Sequence, residues 1–146
     1  MASDGKAVEW QMKGHSTVSS YLVSDGAQKV IDFMKEVLGA HQMYKQENED
    51  KTVKHASLRI GDTVVMITDA RKEYPASPVW LHVYVPDVDK TYELALSKGA
   101  ESVEAPTDKP YGDRMGAVKD AAGNTWWIAT HKFNPWGCTG DAQVAD

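Results

Sequence analysis

Residues 18–40, VSSYLVSDGAQKVIDFMKEVLGA, and residues 79–100, VWLHVYVPDVDKTYELALSKGA, carry one pattern twice. Each is a β-like run, a polar turn, an amphipathic segment and a Gly-Ala exit, with Gly39 and Gly99 in the same place. In the first copy Ala27, Val30, Ile31, Met34, Val37 and Leu38 recur at three- and four-residue steps, which is one face of a helix. Gly39 stops that helix as a C-terminal cap would. In the second copy Val88, Tyr92, Leu94 and Ala95 repeat the face, with Pro86-Asp87 as the start signal and Gly99 as the stop. Further along, residues 61–68, GDTVVMIT, align with residues 123–130, GNTWWIAT, each a Gly-polar-Thr turn feeding an apolar run that ends in Thr. An internal duplication accounts for both alignments.

Three short β-like runs follow each helix: 40–47, 53–60 and 63–68 in the first half, and 101–106, 114–119 and 125–130 in the second. The repeating unit is βαβββ, which predicts an α+β fold of two such modules. The divisions read from the sequence are an N-terminal tail (1–16), a first module (17–68), a linker containing Pro75 (69–78), a second module (79–132) and a C-terminal tail (133–146). The polar run 47–51, ENEDK, reads as a solvated hairpin tip.

At 146 residues with 42% hydrophobic content the chain is sized for one globular unit. Its net charge of −5 and the lack of any Lys/Arg stripe argue against nucleic acid as a partner. No segment has the apolar length of a bilayer span or the pattern of a secretory signal, and the single cysteine, Cys138, excludes an internal disulfide framework. A cytoplasmic setting is the expectation, with Cys138 an ordinary tail residue.

The two adjacent tryptophans of GNTWWIAT pose the functional question, because neighbours in a strand point to opposite faces. Trp126 is expected to pack as core beneath the helices and Trp127 to face the other way. In residues 79–85 the same alternation sets Val79, Leu81, Val83 and Val85 on an aliphatic face and Trp80, His82 and Tyr84 on an aromatic, polar one. Residues 18–23 repeat the scheme weakly, with Ser19, Tyr21 and Val23 opposite Val18, Ser20 and Leu22. Such a face is either filling or the wall of a ligand cavity. Indole and phenol groups that need hydrogen-bond partners favour the cavity, since leucine or isoleucine would fill as well.

A duplicated βαβββ unit with this punctuation resembles the glyoxalase, bleomycin-resistance and extradiol-dioxygenase (vicinal oxygen chelate) superfamily across residues 17–132. The phrase VIDFMKEVLG at residues 30–39 is similar to that family's first helix, and DAAGN at 120–124 to its last hairpin. PYGDR at 110–114 is similar to a loop of its antibiotic-resistance-like branch. The resemblance implies curled mixed sheets around a shared cavity with the helices outside, and a homodimer. It also implies one divalent metal held by His and Glu side chains at four equivalent strand positions. Those positions fall here on Ser19, Trp80, Val65 (or Met66 if the register slips by one) and Trp127, none of them a usual ligand.

The sequence reading is therefore a metal-free, cofactor-free small-molecule-binding protein with no catalytic residues, holding an aromatic, cationic compound. Its site residues are Tyr21, Trp80, His82, Tyr84, Tyr111, Arg114 and Trp127. Stacking and cation–π attraction would supply affinity, and Asp113 and Arg114 either anchor a polar group of the ligand or pair with each other. The competing class is a metal-dependent lyase, isomerase, transferase or dioxygenase whose ligands have moved to His55, His82 and a carboxylate such as Glu47 or Glu101. His15, His41 and His131 have no supporting context in the sequence.

Overall fold

The computed structural model describes residues 9–135, which leaves Cys138 outside the described part. The elements follow the order β1 (Ser20–Ser24), α1 (Ala27–Leu38), β2 (His41–Glu47), β3 (Val53–Ile60), β4 (Thr63–Asp69), β5 (Trp80–Tyr84), α2 (Val88–Ser97), β6 (Glu101–Asp108), β7 (Asp113–Lys119) and β8 (Thr125–His131). They form two four-stranded mixed sheets of identical topology, β1-β4-β3-β2 and β5-β8-β7-β6, which do not close into a barrel. In each sheet the first strand lies parallel to the last, with Tyr21 beside Met66 in one and His82 beside Trp127 in the other. No described helix is long and apolar enough to cross a membrane.

The helices pack on one face of each sheet and against each other, so a single core joins the two modules. The buried stripe of α1 is Ala27, Val30, Ile31, Phe33, Met34 and Val37, which is the periodicity's face with Phe33 added and Leu38 only half-buried. Phe33 meets Trp126 at a centroid distance of 5.5 Å. Trp126 is 1% exposed, and its indole N–H donates to Asp120 Oδ2 at 2.8 Å. The same carboxylate accepts the backbone N–H groups of Ala122 and Asn124, which closes the β7–β8 turn.

The two helices start differently although the halves are repeats. Gly26 precedes α1 in the left-handed region and offers no side chain, so Asp69 at the end of β4 accepts the N–H groups of Gly26 and Ala27 at 3.1 and 3.0 Å. Asp87 caps α2 directly by accepting from Lys90 N, and Thr130 Oγ1 accepts from Val88 N at 2.8 Å. Thr130 is thus the counterpart of Asp69 in the second half, one residue earlier than the turn alignment gives, and His131 beyond it is free of capping.

Candidate functional site

Each sheet has one face under its helix and one open face. On the second sheet, alternation along β5 and β8 falls as the sequence predicts: Leu81, Val83 and Trp126 turn to the core, and Trp80, His82, Tyr84 and Trp127 to the open face. Trp80 meets Trp127 edge-on at 5.2 Å, and His82 meets Tyr84 edge-on at 4.7 Å, the arrangement in which a positive ring edge meets a negative face. Trp80 is 75% exposed and Tyr84 63% exposed, exceptional for rings of that size. Tyr111, Asp113 and Met115 complete a shallow cleft of about 560 Å³.

Asp113 opens β7 at the end of this cleft and is only 5% exposed. Its Oδ2 accepts the Tyr84 hydroxyl at 3.0 Å, and its Oδ1 lies 2.7 Å from His131 Nδ1, directly across the β7–β8 ladder. The loop before it is fixed by Gly112, whose φ of 99° and position under the chain leave no room for a side chain: an added Cβ would stand 2.0 Å from the Phe133 carbonyl oxygen. Burial, and next the hydrogen bond to the Asp113 carboxylate, hold the Tyr84 phenol above its ordinary pKa. His131 is also held above its ordinary value, first by the Asn134 oxygen 2.6 Å from Nε2 and then by Asp113.

The open face of the first sheet carries a different set. Tyr21 Oη lies 2.7 Å from His55 Nδ1, and His55 Nε2 lies 3.0 Å from the buried Ser57 Oγ. Tyr44 stands beside the imidazole with ring centroids 6.0 Å apart. Burial, and next the charge of His15, depress the His55 pKa, which leaves a neutral imidazole at pH 7. Residues 10–17 run over this face, Ser16 Oγ accepting from Val64 N, and form a cleft of about 820 Å³ with Met43, Tyr44, His55, Ser57 and Met66.

The structure thus brings Trp80, His82, Tyr84, Tyr111 and Trp127 together and sets Tyr21 on the other sheet. Arg114, expected at the mouth of the site, points the opposite way. It follows Asp113 along β7, so its side chain lies on the helix side, where Asp89 of α2 takes Nε and Nη2 at 2.9 and 3.1 Å and Asp108 takes Nη1 at 3.3 Å. It pairs with these two carboxylates and not with Asp113. Two residues the sequence did not flag, His131 and Ser57, belong to the open-face networks. Period-two alternation from Trp127 places residue 131 on the face of Trp127, but a strand-end histidine gives no sign of its partner.

The four strand positions at which the resemblance implies a metal present a hydroxyl, a thioether and two indoles. Val65 is 4% exposed and lies in the core, so Met66 is the open-face residue of β4, a one-residue correction to the position inferred first. Ser19 Oγ and Trp127 Nε1 are buried without a hydrogen-bond partner among the described residues. A hard divalent cation finds neither imidazole nor carboxylate there, and the donor set does not fit it. Among the described residues no three His, Cys, Asp or Glu side chains are grouped to hold a metal elsewhere, and His55 and His82 lie on separate sheets.

Residues 15–128 match the model of the Glyoxalase/Bleomycin resistance protein/Dioxygenase superfamily. An uncharacterised protein of Mycobacterium bovis is 35% identical over 120 residues, covering 75% of this chain and 79% of its own. The crystal structure of TioX from Micromonospora sp. ML1 is similar with a TM-score of 0.67 and 27% identity, over 80% of this chain and 98% of that one. TnmS3, an antibiotic binding protein from Streptomyces sp. CB03234, is similar in fold with a TM-score of 0.62 and 20% identity, over 81% of this chain and 100% of that one.

Proposed function

The chain belongs to the glyoxalase/bleomycin resistance protein/dioxygenase superfamily, and we propose that within it this protein is a metal-free, cytoplasmic binder that sequesters an aromatic, cationic compound. The observation that carries the reading is the wall of the second-sheet cleft: Trp80, Tyr84, Tyr111 and Trp127 around the buried carboxylate of Asp113. Aromatic faces attract a cation by about 0.5–2 kcal/mol each, more as water is excluded. With Arg114 committed to Asp89 and Asp108, the guanidinium nearest in sequence is not available to an anion at the cleft. The antibiotic-binding description of TnmS3 supports small-molecule binding on this fold.

A homodimer completes the site. The reading is supported by the exposure of Trp80 and Tyr84 on the second sheet, an aromatic surface that a second copy would cover. The discriminating experiment uses two flat three-ring compounds of matched size, N-methylacridinium and 9-anthracenecarboxylate, titrated against tryptophan fluorescence. Tighter binding of the cation supports the reading. A preference for the carboxylate, or neither compound binding, refutes it.

A further inference from the structure

Asp113 divides its two oxygens between the cleft and the far end of β8. Oδ2 takes the Tyr84 hydroxyl at the aromatic wall, and Oδ1 faces His131 Nδ1. The second ring nitrogen, Nε2, faces the Asn134 side-chain oxygen, so both nitrogens meet acceptors. Only the imidazolium, with an N–H on each nitrogen, satisfies both contacts as they stand; a neutral ring requires the Asn134 amide to turn over. The His131 side chain is 45% exposed and exchanges its proton freely with water.

We propose that Asp113 and His131 together select the ligand's charge: Asp113 is the counter-ion for a cationic centre on the aromatic wall, and the proton on His131 competes with that cation. This rests on the binding reading above and adds how the same site is regulated. With His131 neutral the pair carries one negative charge, buried beneath Tyr84 and screened little by water. With His131 protonated the pair is neutral and the attraction for a cation falls. Linkage requires the reverse effect as well, so a bound cation must make His131 easier to deprotonate.

The groups around the pair leave this assignment to His131. Tyr84 on β5, its phenol held above the ordinary value, and Tyr111 in the β6–β7 loop bring hydroxyls, and Gly112 contributes backbone alone. Arg114 lies on the other face of β7, tied to Asp89 and Asp108, and Lys109 is paired with Glu104. His82 shares the open face but stands against the Tyr84 ring and has no carboxylate partner among the described contacts.

The test is the affinity for N-methylacridinium, a permanent cation, measured by tryptophan quenching at pH 8.5 and pH 5.5 in wild type, His131→Gln and Asp113→Asn. Wild type should bind about tenfold more weakly at pH 5.5, within the usual range of coupling between two sites. His131→Gln should bind equally at both values, and Asp113→Asn weakly at both. Because Asp113→Asn perturbs a buried position, proton NMR of the wild-type His131 ring supplies a second measurement. Its apparent pKa should lie above the ordinary histidine value and fall on saturation with the dye. Binding that is tight and independent of pH, or a His131 titration indifferent to the dye, overturns the counter-ion role and leaves the binding site intact. No quenching at any pH overturns both.

Discussion

Trp126 and Trp127 are adjacent in sequence and serve opposite faces, so truncating each should produce opposite losses. Trp126 is 1% exposed, packs on Phe33 and donates to the buried Asp120 carboxylate. Trp126→Ala removes a buried indole at about 3–5 kcal/mol. It also deprives Asp120 Oδ2 of a charge-assisted hydrogen bond of about 1.5–3 kcal/mol. The two terms overlap because water enters the cavity and hydrates the carboxylate, which sets the expected loss at about 4–5 kcal/mol. For a domain of this size that is a drop in Tm of roughly 8–20 °C, a large part of the 5–15 kcal/mol that ordinarily separates folded from unfolded chains. Trp127 is half-buried on the open face against Trp80, and Trp127→Ala should cost less than about 2 kcal/mol. Its affinity for N-methylacridinium should fall about tenfold, the equivalent of one stacking contact of about 1.4 kcal/mol. Urea unfolding followed by far-ultraviolet circular dichroism, with the slope m checked for constancy, gives the stabilities, and fluorescence titration gives the affinities. A Trp127 variant that unfolds more easily than the Trp126 variant would refute the assignment of faces.

Three further outcomes follow from the same geometry. Protein purified without chelator should carry less than about one-tenth equivalent of Zn, Ni, Fe or Mn, since Ser19, Met66, Trp80 and Trp127 offer no suitable donors; stoichiometric metal by inductively coupled plasma analysis contradicts this. Because the His55 pKa is depressed in the folded chain, the unfolded state takes up this proton at a higher pH. The His55 contribution to stability should therefore fall as pH drops through the ordinary histidine value, opposite in sign to that of His131, and His55→Gln should remove it in urea melts between pH 7.5 and 5.5; a pH dependence unchanged by the substitution contradicts this. Asp69→Ala removes the acceptor for Gly26, Ala27 and Val53 N–H groups and should cost about 1–2 kcal/mol by thermal melting.

The fold was legible because its signals are local and come twice. Helix periodicity, the stop at Gly39 and the Gly-polar-Thr turns each depend on a few neighbouring residues, and agreement between the halves removes the ambiguity a single copy would leave. The strand faces followed from alternation once Trp126 was assigned to the core. What sequence did not reveal are contacts between residues far apart in the chain. Arg114 was expected in the cleft because it lies in the loop phrase PYGDR, yet β7 begins at Asp113 and turns residue 114 toward α2, where Asp89 waits. His131 gave no signal because its partner lies across a ladder whose register no local pattern specifies. The identity of the open-face residue on β4 turned on one position, which settles Met66 over Val65, since a slip of one residue inverts every side chain.

The difference between the halves explains how one of them acquired a charged cleft. In the first, the residue ending β4 is Asp69, and its carboxylate is consumed by the start of α1 and by Val53 N. Gly26 makes that necessary, because it provides no side chain to cap the helix. In the second half Asp87 caps α2 from within and Thr130 takes the Val88 N–H, so the position after Thr130 has no structural duty. A histidine there can turn across the ladder to Asp113 without loss of helix stability. The same redistribution keeps Arg114 with α2, where Asp89 in the first turn receives it and balances a charge that would otherwise oppose a cation at the cleft. With α2 capped by Asp87 and Thr130 and Arg114 held by Asp89, the one cationic partner left to Asp113 among the described residues is His131, so the charge that Asp113 presents to the aromatic face follows the protonation of that ring.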